Sequence, residues 1–151
     1  MIQDVQIKPL KFIPDERGRL MEIMRDDEAI FEKFGQIYLT TTYPQVIKAW
    51  HYHKLQDDHF VCIKGMVKLV LFDSRKDSPT VGEINEFFTG EHNLQLIKVP
   101  KLVYHGWKCI SDGESWVLNI PTVHYNYRQP DEYRLPFDTD KIPYDWNIKM
   151  G

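Results

Sequence analysis

Short apolar runs broken by turn residues dominate this chain, and their spacing predicts strands in place of helices. The first is QIYLTTTY (36–43), and VIKAWHY (46–52) follows after Pro44-Gln45. HFVCIK (59–64), MVKLVLFD (66–73), EINEFFT (83–89), LQLIKV (94–99), VYHGWKCI (103–110) and ESWVLNI (114–120) complete the series. Gly65 and the pair Asp112-Gly113 interrupt neighbouring runs and predict tight hairpins. Only DDEAIFEKFG (26–35) carries a helical signature, with acids in its first turn, apolar Ile30, Phe31 and Phe34, and Gly35 as a stop. Beyond Pro121 the pattern becomes polar, aromatic and proline-rich, which predicts an ordered but irregular tail wrapped over the rest. Strands at this even spacing predict an all-β jelly roll, sandwich or barrel, with one short N-terminal helix.

Composition narrows the function without naming it. The 151 residues suit one domain, 1–151, large enough to bury its own core. A net charge of −3 and scattered basic residues exclude the basic face that a nucleic-acid partner would need. No apolar run is long enough to span a bilayer, and the N-terminus carries acid early, so a cytoplasmic protein without membrane contact is expected. Cys62 and Cys109 sit in apolar runs and read as buried free thiols. The 13% aromatic content serves strands and cores first, and it also suits a pocket for a flat or sugar-like ligand.

Candidate chemistry concentrates in WHYHKLQDDHFVCIKG (50–65). Side chains alternate along a strand, so His51 and His53 share a face and Trp50 and Tyr52 take the other. Asp58 opens the next run, and His105 follows far downstream in PKLVYHG. This order of His51, His53, Asp58, Gly65, Pro100 and His105 resembles the cupin barrels, in which such side chains line the barrel mouth. Three imidazoles and a carboxylate suit one borderline divalent metal ion. His51, His53, Asp58 and His105 are therefore one candidate metal set, and histidines hydrogen-bonded within a polar barrel are the plainer reading of them.

Across residues 10 to 146 the order of motifs resembles the dTDP-4-dehydrorhamnose 3,5-epimerase family. DERGRLMEI (15–23), the strand with Gln36, KAWHYH (48–53), FDSRKDSPTVGEI (72–84), VPKLVYHGW (99–107) and YRQPDE (127–132) carry the likeness. Nothing in strand or turn chemistry calls for DSRKDSPT, which makes it the most specific of these. The resemblance implies an isomerase without a cofactor, acting on a dTDP-4-keto-6-deoxyhexose, and a homodimer packed through edge strands. It makes His51 the general base and His105 its neighbour beside the sugar. Arg17, Glu22, Gln36 and Lys48 become nucleotide and diphosphate contacts, joined by His53, Tyr127 and Glu132 at the substrate.

The chain departs from the family pattern in three places. Asp58 stands where the family has a lysine, Leu118 stands where it has its tyrosine proton donor, and no counterpart is read for its C-terminal aspartate segment. Tyr125 is the replacement donor this reading selects, with His124 as an outside candidate. The His51-to-Gly65 interval also resembles the dTDP-sugar 3,4-ketoisomerases. A metal-dependent enzyme on another small molecule and a non-catalytic sugar-binding relative are the remaining alternatives.

Overall fold

A computed structural model describes residues 1–150, and they form an all-β structure. The strands are β1 (Gln6–Pro9), β2 (Ile13–Asp15), β3 (Gly18–Leu20), β4 (Tyr38–Thr42), β5 (Ile47–Tyr52) and β6 (Asp58–Lys64). They continue with β7 (Met66–Asp73), β8 (Ile84–Gly90), β9 (Gln95–Val99), β10 (Val103–Cys109), β11 (Ser115–Asn119) and β12 (Tyr133–Arg134). Two five-stranded sheets result, one in the order β1-β9-β6-β11-β4 and the other β12-β5-β10-β7-β8, beside a small β2–β3 hairpin. All eight runs expected as strands are strands, with ends moved by no more than two residues.

The inward faces of the two sheets share a core that includes Phe60, Val67, Leu69, Leu71, Ile97, Val103, Trp107 and Val117. Each outward face is covered as well. The tail brings Ile142 and Trp146 against Trp50 and Val70 behind the second sheet. Residues 23–30 lay Ile23, Met24 and Ile30 against Val61 and Leu96 behind the first. Burial on both faces explains why β6 and β7 read as nearly continuous apolar runs, a pattern more usual in parallel sheets.

Two local expectations fail for identifiable reasons. Residues 26–30 form turns and 31–35 irregular chain, not a helix. Their polar groups are claimed from a distance: the Ile30 carbonyl meets His59 Nε2 at 3.0 Å, Glu28 pairs with Lys8, and Gly35 N donates to Pro121 O at 3.0 Å. A Cβ on Gly35 would fall 2.4 Å from the Val123 backbone, so this glycine serves a chain crossing, not a helix stop. The second concerns the hairpins. Gly65 joins strands of different sheets, as does the Asp112-Gly113 turn. With φ of +69° and no room for a Cβ beside Ser111, Gly65 is a corner at which the chain changes sheet.

Asp73, in the DSRKDSPT motif, is fully buried. Its carboxylate accepts from the Arg75 backbone N (3.0 Å), Arg75 Nε and Nη2 (both 2.9 Å), Ser78 Oγ (2.6 Å) and Thr80 Oγ1 (2.7 Å). Arg75 reaches on to Asp4 and the Gln3 carbonyl. The motif therefore has a structural cause after all: it ties the β7–β8 loop to the N-terminus around one buried charge.

Candidate active site

His51 and His105 meet because of a bulge. On β10, His105 pairs with His51 and Trp107 with Lys48, so Gly106 alone faces Ala49 and Trp50 on β5. A Cβ on Gly106 would lie 2.3 Å from the Ala49 Cβ, and only glycine leaves that room. The extra residue also resets the alternation of β5. Lys48 and His51, three apart, both line the same cavity, where strict alternation would send them to opposite faces.

That cavity, of about 1360 Å³, is bounded by both sheets and by the tail segment 123–135. Beneath it lies the wholly buried Asp58. Asp58 Oδ2 is 3.2 Å from His53 Nε2 and 3.5 Å from His105 Nε2, and Oδ1 accepts from Asn119 Nδ2 (2.8 Å) and Gln56 Nε2 (3.0 Å). The other nitrogen of His53 faces the Asp131 carbonyl at 2.5 Å, and that of His105 the Val103 carbonyl at 3.3 Å. The Asp131 carboxylate accepts from the Lys54 and Leu55 backbone amides and so pins the tail to the loop after β5.

These surroundings push the three histidines in different directions. Burial works against a proton on His53, but the hydrogen bond and charge of Asp58 outweigh it and raise its pKa. Asp58 itself is held below the usual carboxylate range: burial opposes this, and His53, His105 and Asn119 overcome it. Burial pushes His105 down to about 3 despite the pull of Asp58. His51 is lowered by burial and then by the Arg134 guanidinium, which β12 places in register with it. Among the described residues neither His51 ring nitrogen has a hydrogen-bond partner. The arrangement is a neutral, unengaged imidazole at a cavity wall, above a floor whose groups are all bonded to one another.

The sequence profile described as dTDP-4-dehydrorhamnose 3,5-epimerase matches residues 1–151. The chain belongs to the dTDP-4-dehydrorhamnose 3,5-epimerase family. By class it is therefore a carbohydrate epimerase. The probable low-salt glycan biosynthesis epimerase Agl13 of Haloferax volcanii is 46% identical over 99% of this chain and 97% of its own. The spore coat polysaccharide biosynthesis protein SpsL of Bacillus subtilis is 42% identical over 99% of both chains. Among solved structures, a dTDP sugar isomerase from Desulfovibrio desulfuricans superimposes with a TM-score of 0.91 at 31% identity, covering 96% of this chain and 92% of that one.

Within this epimerase-family fold, Gln36, Lys48, His51, His53, His105, Tyr125, Tyr127 and Glu132 all line the cavity, as does His124. Gln36 Oε1 accepts from the Tyr125 backbone N (3.0 Å), which holds the tail against the entry to β4. Lys48 Nζ donates to the Thr41 carbonyl (2.7 Å), and burial lowers its pKa. Glu132 pairs with Arg134 at the rim. Arg17 and Glu22 lie outside the cavity: Arg17 bonds Asp15 in the β2–β3 hairpin and Glu22 faces Arg25. Of the four candidate metal ligands, His53, Asp58 and His105 bring one donor atom each within 4.8 Å of the others, and His51 stands outside that group.

Two residues escaped the sequence reading. Leu118, at the family's tyrosine position, packs outward against the cover of the first sheet. Its neighbour Asn119 points inward, paired across the ladder with Tyr38, which lines the cavity. Tyr38 stands two residues after Gln36, so the period of two placed it on the same face.

Proposed function

We propose that the protein acts on a dTDP-linked 4-keto-6-deoxyhexose, removing the proton beside the ketone and returning one to the opposite face. The observation that carries this is His51: uncharged, with both ring nitrogens unengaged, on the wall of a cavity roomy enough for a nucleotide sugar. A neutral imidazole there is a competent general base. Lys48 brings positive charge to the same face, suited to a diphosphate or a developing enolate oxygen. His53, with both nitrogens bonded, offers a ring face but no free N–H, and His105 forms the floor beside the reacting carbons. No cofactor enters this chemistry. Related structures are described with TDP and with a dTDP-4-keto sugar bound, which supports the substrate class.

In heavy water, deuterium should enter the carbons beside the ketone of dTDP-4-keto-6-deoxyglucose, and His51→Asn should slow this by about 10²–10⁴-fold. Absence of exchange and of product with every 4-keto nucleotide sugar tried would sink the proposal.

A cupin-type jelly roll in the cytoplasm, working as a homodimer, completes the reading. Among the described residues no helix is long and apolar enough to cross a membrane. Both strands of the β2–β3 hairpin are exposed, as is Arg17 in the turn between them, and Ile13, Leu20 and Arg17 line no part of the chain's own cavity. Packing of that hairpin against a second copy gives Arg17 and Glu22 a substrate to touch. Sedimentation should return twice the chain mass, and a monomer would refute it.

A second reading rests on the donor triad alone. His53, Asp58 and His105 suit a borderline divalent ion, and their second nitrogens face carbonyls as those of metal-bound histidines do. It requires stoichiometric metal in protein purified without added ions.

A further inference from the structure

The proposed reaction needs an acid facing His51, and the family's tyrosine position is spent on an outward leucine. We propose that Tyr38 is that acid, so that the proton lost to His51 on one face of the sugar is replaced by the phenol proton of Tyr38 on the other. This inference rests on the substrate reading given above.

The hydrogen bonds around Asn119 decide which way the Tyr38 hydroxyl points. Asn119 Oδ1 must be the atom that meets the His59 backbone N–H (3.1 Å), because an amide nitrogen there would set donor against donor. Nδ2 therefore carries the other two contacts, to Asp58 Oδ1 and to Tyr38 Oη, each at 2.8 Å. An amide N–H donates and cannot accept, so the Tyr38 oxygen is an acceptor in its one hydrogen bond. Its own proton is left free for the cavity.

Position and charge agree with the role. Tyr38 belongs to the first sheet, and His51, Lys48 and His105 belong to the second, so a sugar between the sheets has base and acid on different walls. Inversion at a carbon requires that separation. Burial and the nearby Asp58 charge hold the Tyr38 phenol up to about 12, which keeps it protonated at neutral pH. In the step itself the Tyr38 O–H bond breaks and the enolate carbon takes the proton as a new C–H bond. The C–O bond returns to C=O, and the negative charge passes to the phenolate. The Asn119 N–H steadies that phenolate until water entering the cavity returns a proton to it and takes the one held by His51. Tyr125 is the rival: it also lines the cavity, but it sits on the tail and holds Gln36 through its backbone N–H.

Tyr38→Phe and Tyr125→Phe, assayed in heavy water with dTDP-4-keto-6-deoxyglucose, separate the steps. His51 alone can remove a proton and return a deuteron to the same face. Tyr38→Phe should therefore keep deuterium entry while inverted product falls by about 10²-fold or more. Tyr125→Phe, on the cavity wall, should leave the ratio of inverted product to deuterium entry as in wild type. Wild-type epimer formation by Tyr38→Phe, loss of inversion with exchange kept in Tyr125→Phe, or loss of exchange together with inversion in a Tyr38→Phe protein that melts like wild type would each overturn the assignment. Wild-type protein that shows neither exchange nor product would instead remove the substrate reading, and the assignment with it.

Discussion

Asp73→Asn isolates what the DSRKDSPT motif does. The substitution keeps the shape of the side chain but replaces one carboxylate oxygen by an amide that donates. Ser78 and Thr80 can turn their hydroxyls to accept from it, whereas Arg75 has only donors to offer. Breaking a buried ion pair by removing one partner costs about 3–5 kcal/mol. Arg75 keeps Asp4 and the Gln3 carbonyl, so the lower end, about 3 kcal/mol, applies. For a chain of this size that is roughly 6–12 °C in Tm.

The pH dependence follows from the same hub. Burial would raise the pKa of Asp73, but Arg75, Ser78 and Thr80 together hold it well below the ordinary carboxylate value. A depressed folded-state pKa contributes stability in full above the unfolded value of about 3.9, and that contribution drains away as pH falls toward the folded value. The gap between wild type and Asp73→Asn in urea unfolding should be full at pH 7 and narrower at pH 3. Deuterium exchange per folded molecule should be unchanged, since none of these residues lines the cavity. A gap below about 1 kcal/mol at pH 7, or one equally wide at pH 3, would refute the reasoning.

Gly106→Ala should cost about 1–3 kcal/mol through overpacking against Ala49 and cut turnover by moving His51 off the cavity wall; a variant with wild-type melting and turnover would show the bulge to be incidental. Arg134→Ala removes a positive charge that lowers the His51 pKa, so that pKa should rise and the acid limb of kcat/KM should move to higher pH. An unmoved limb would separate His51 from that titration.

The sequence disclosed the eight long strands because burial on both faces wrote them as apolar runs with clear turn residues between. It concealed β1, β2, β3 and β12, which are two to four residues long and mostly half-buried or exposed. Its errors were long-range in cause. Residues 26–35 carry helical signals, but His59, Lys8 and Pro121 take the groups a helix would use. Gly65 was recognised as a turn, yet nothing local distinguishes a hairpin from a corner between sheets. In the site, His51, His53 and His105 were legible from spacing and family likeness. The bulge that brings Lys48 onto the same face was not, because it depends on Gly106, more than fifty residues away.

Strand β5 has a consequence for anyone redesigning this enzyme. His51 looks into the cavity while its neighbour Trp50, fully buried, packs behind the sheet edge-on to Tyr144 and at a tilt against Trp146 of the tail. The proposed base is thus mounted on a partition whose far side is an aromatic cluster that the ligand never meets. Substituting Trp146 should tilt the imidazole without changing any residue that lines the cavity. By the same linkage, a substrate that presses on His51 should slow hydrogen exchange at residues 142–146, so the tail becomes a built-in reporter of occupancy.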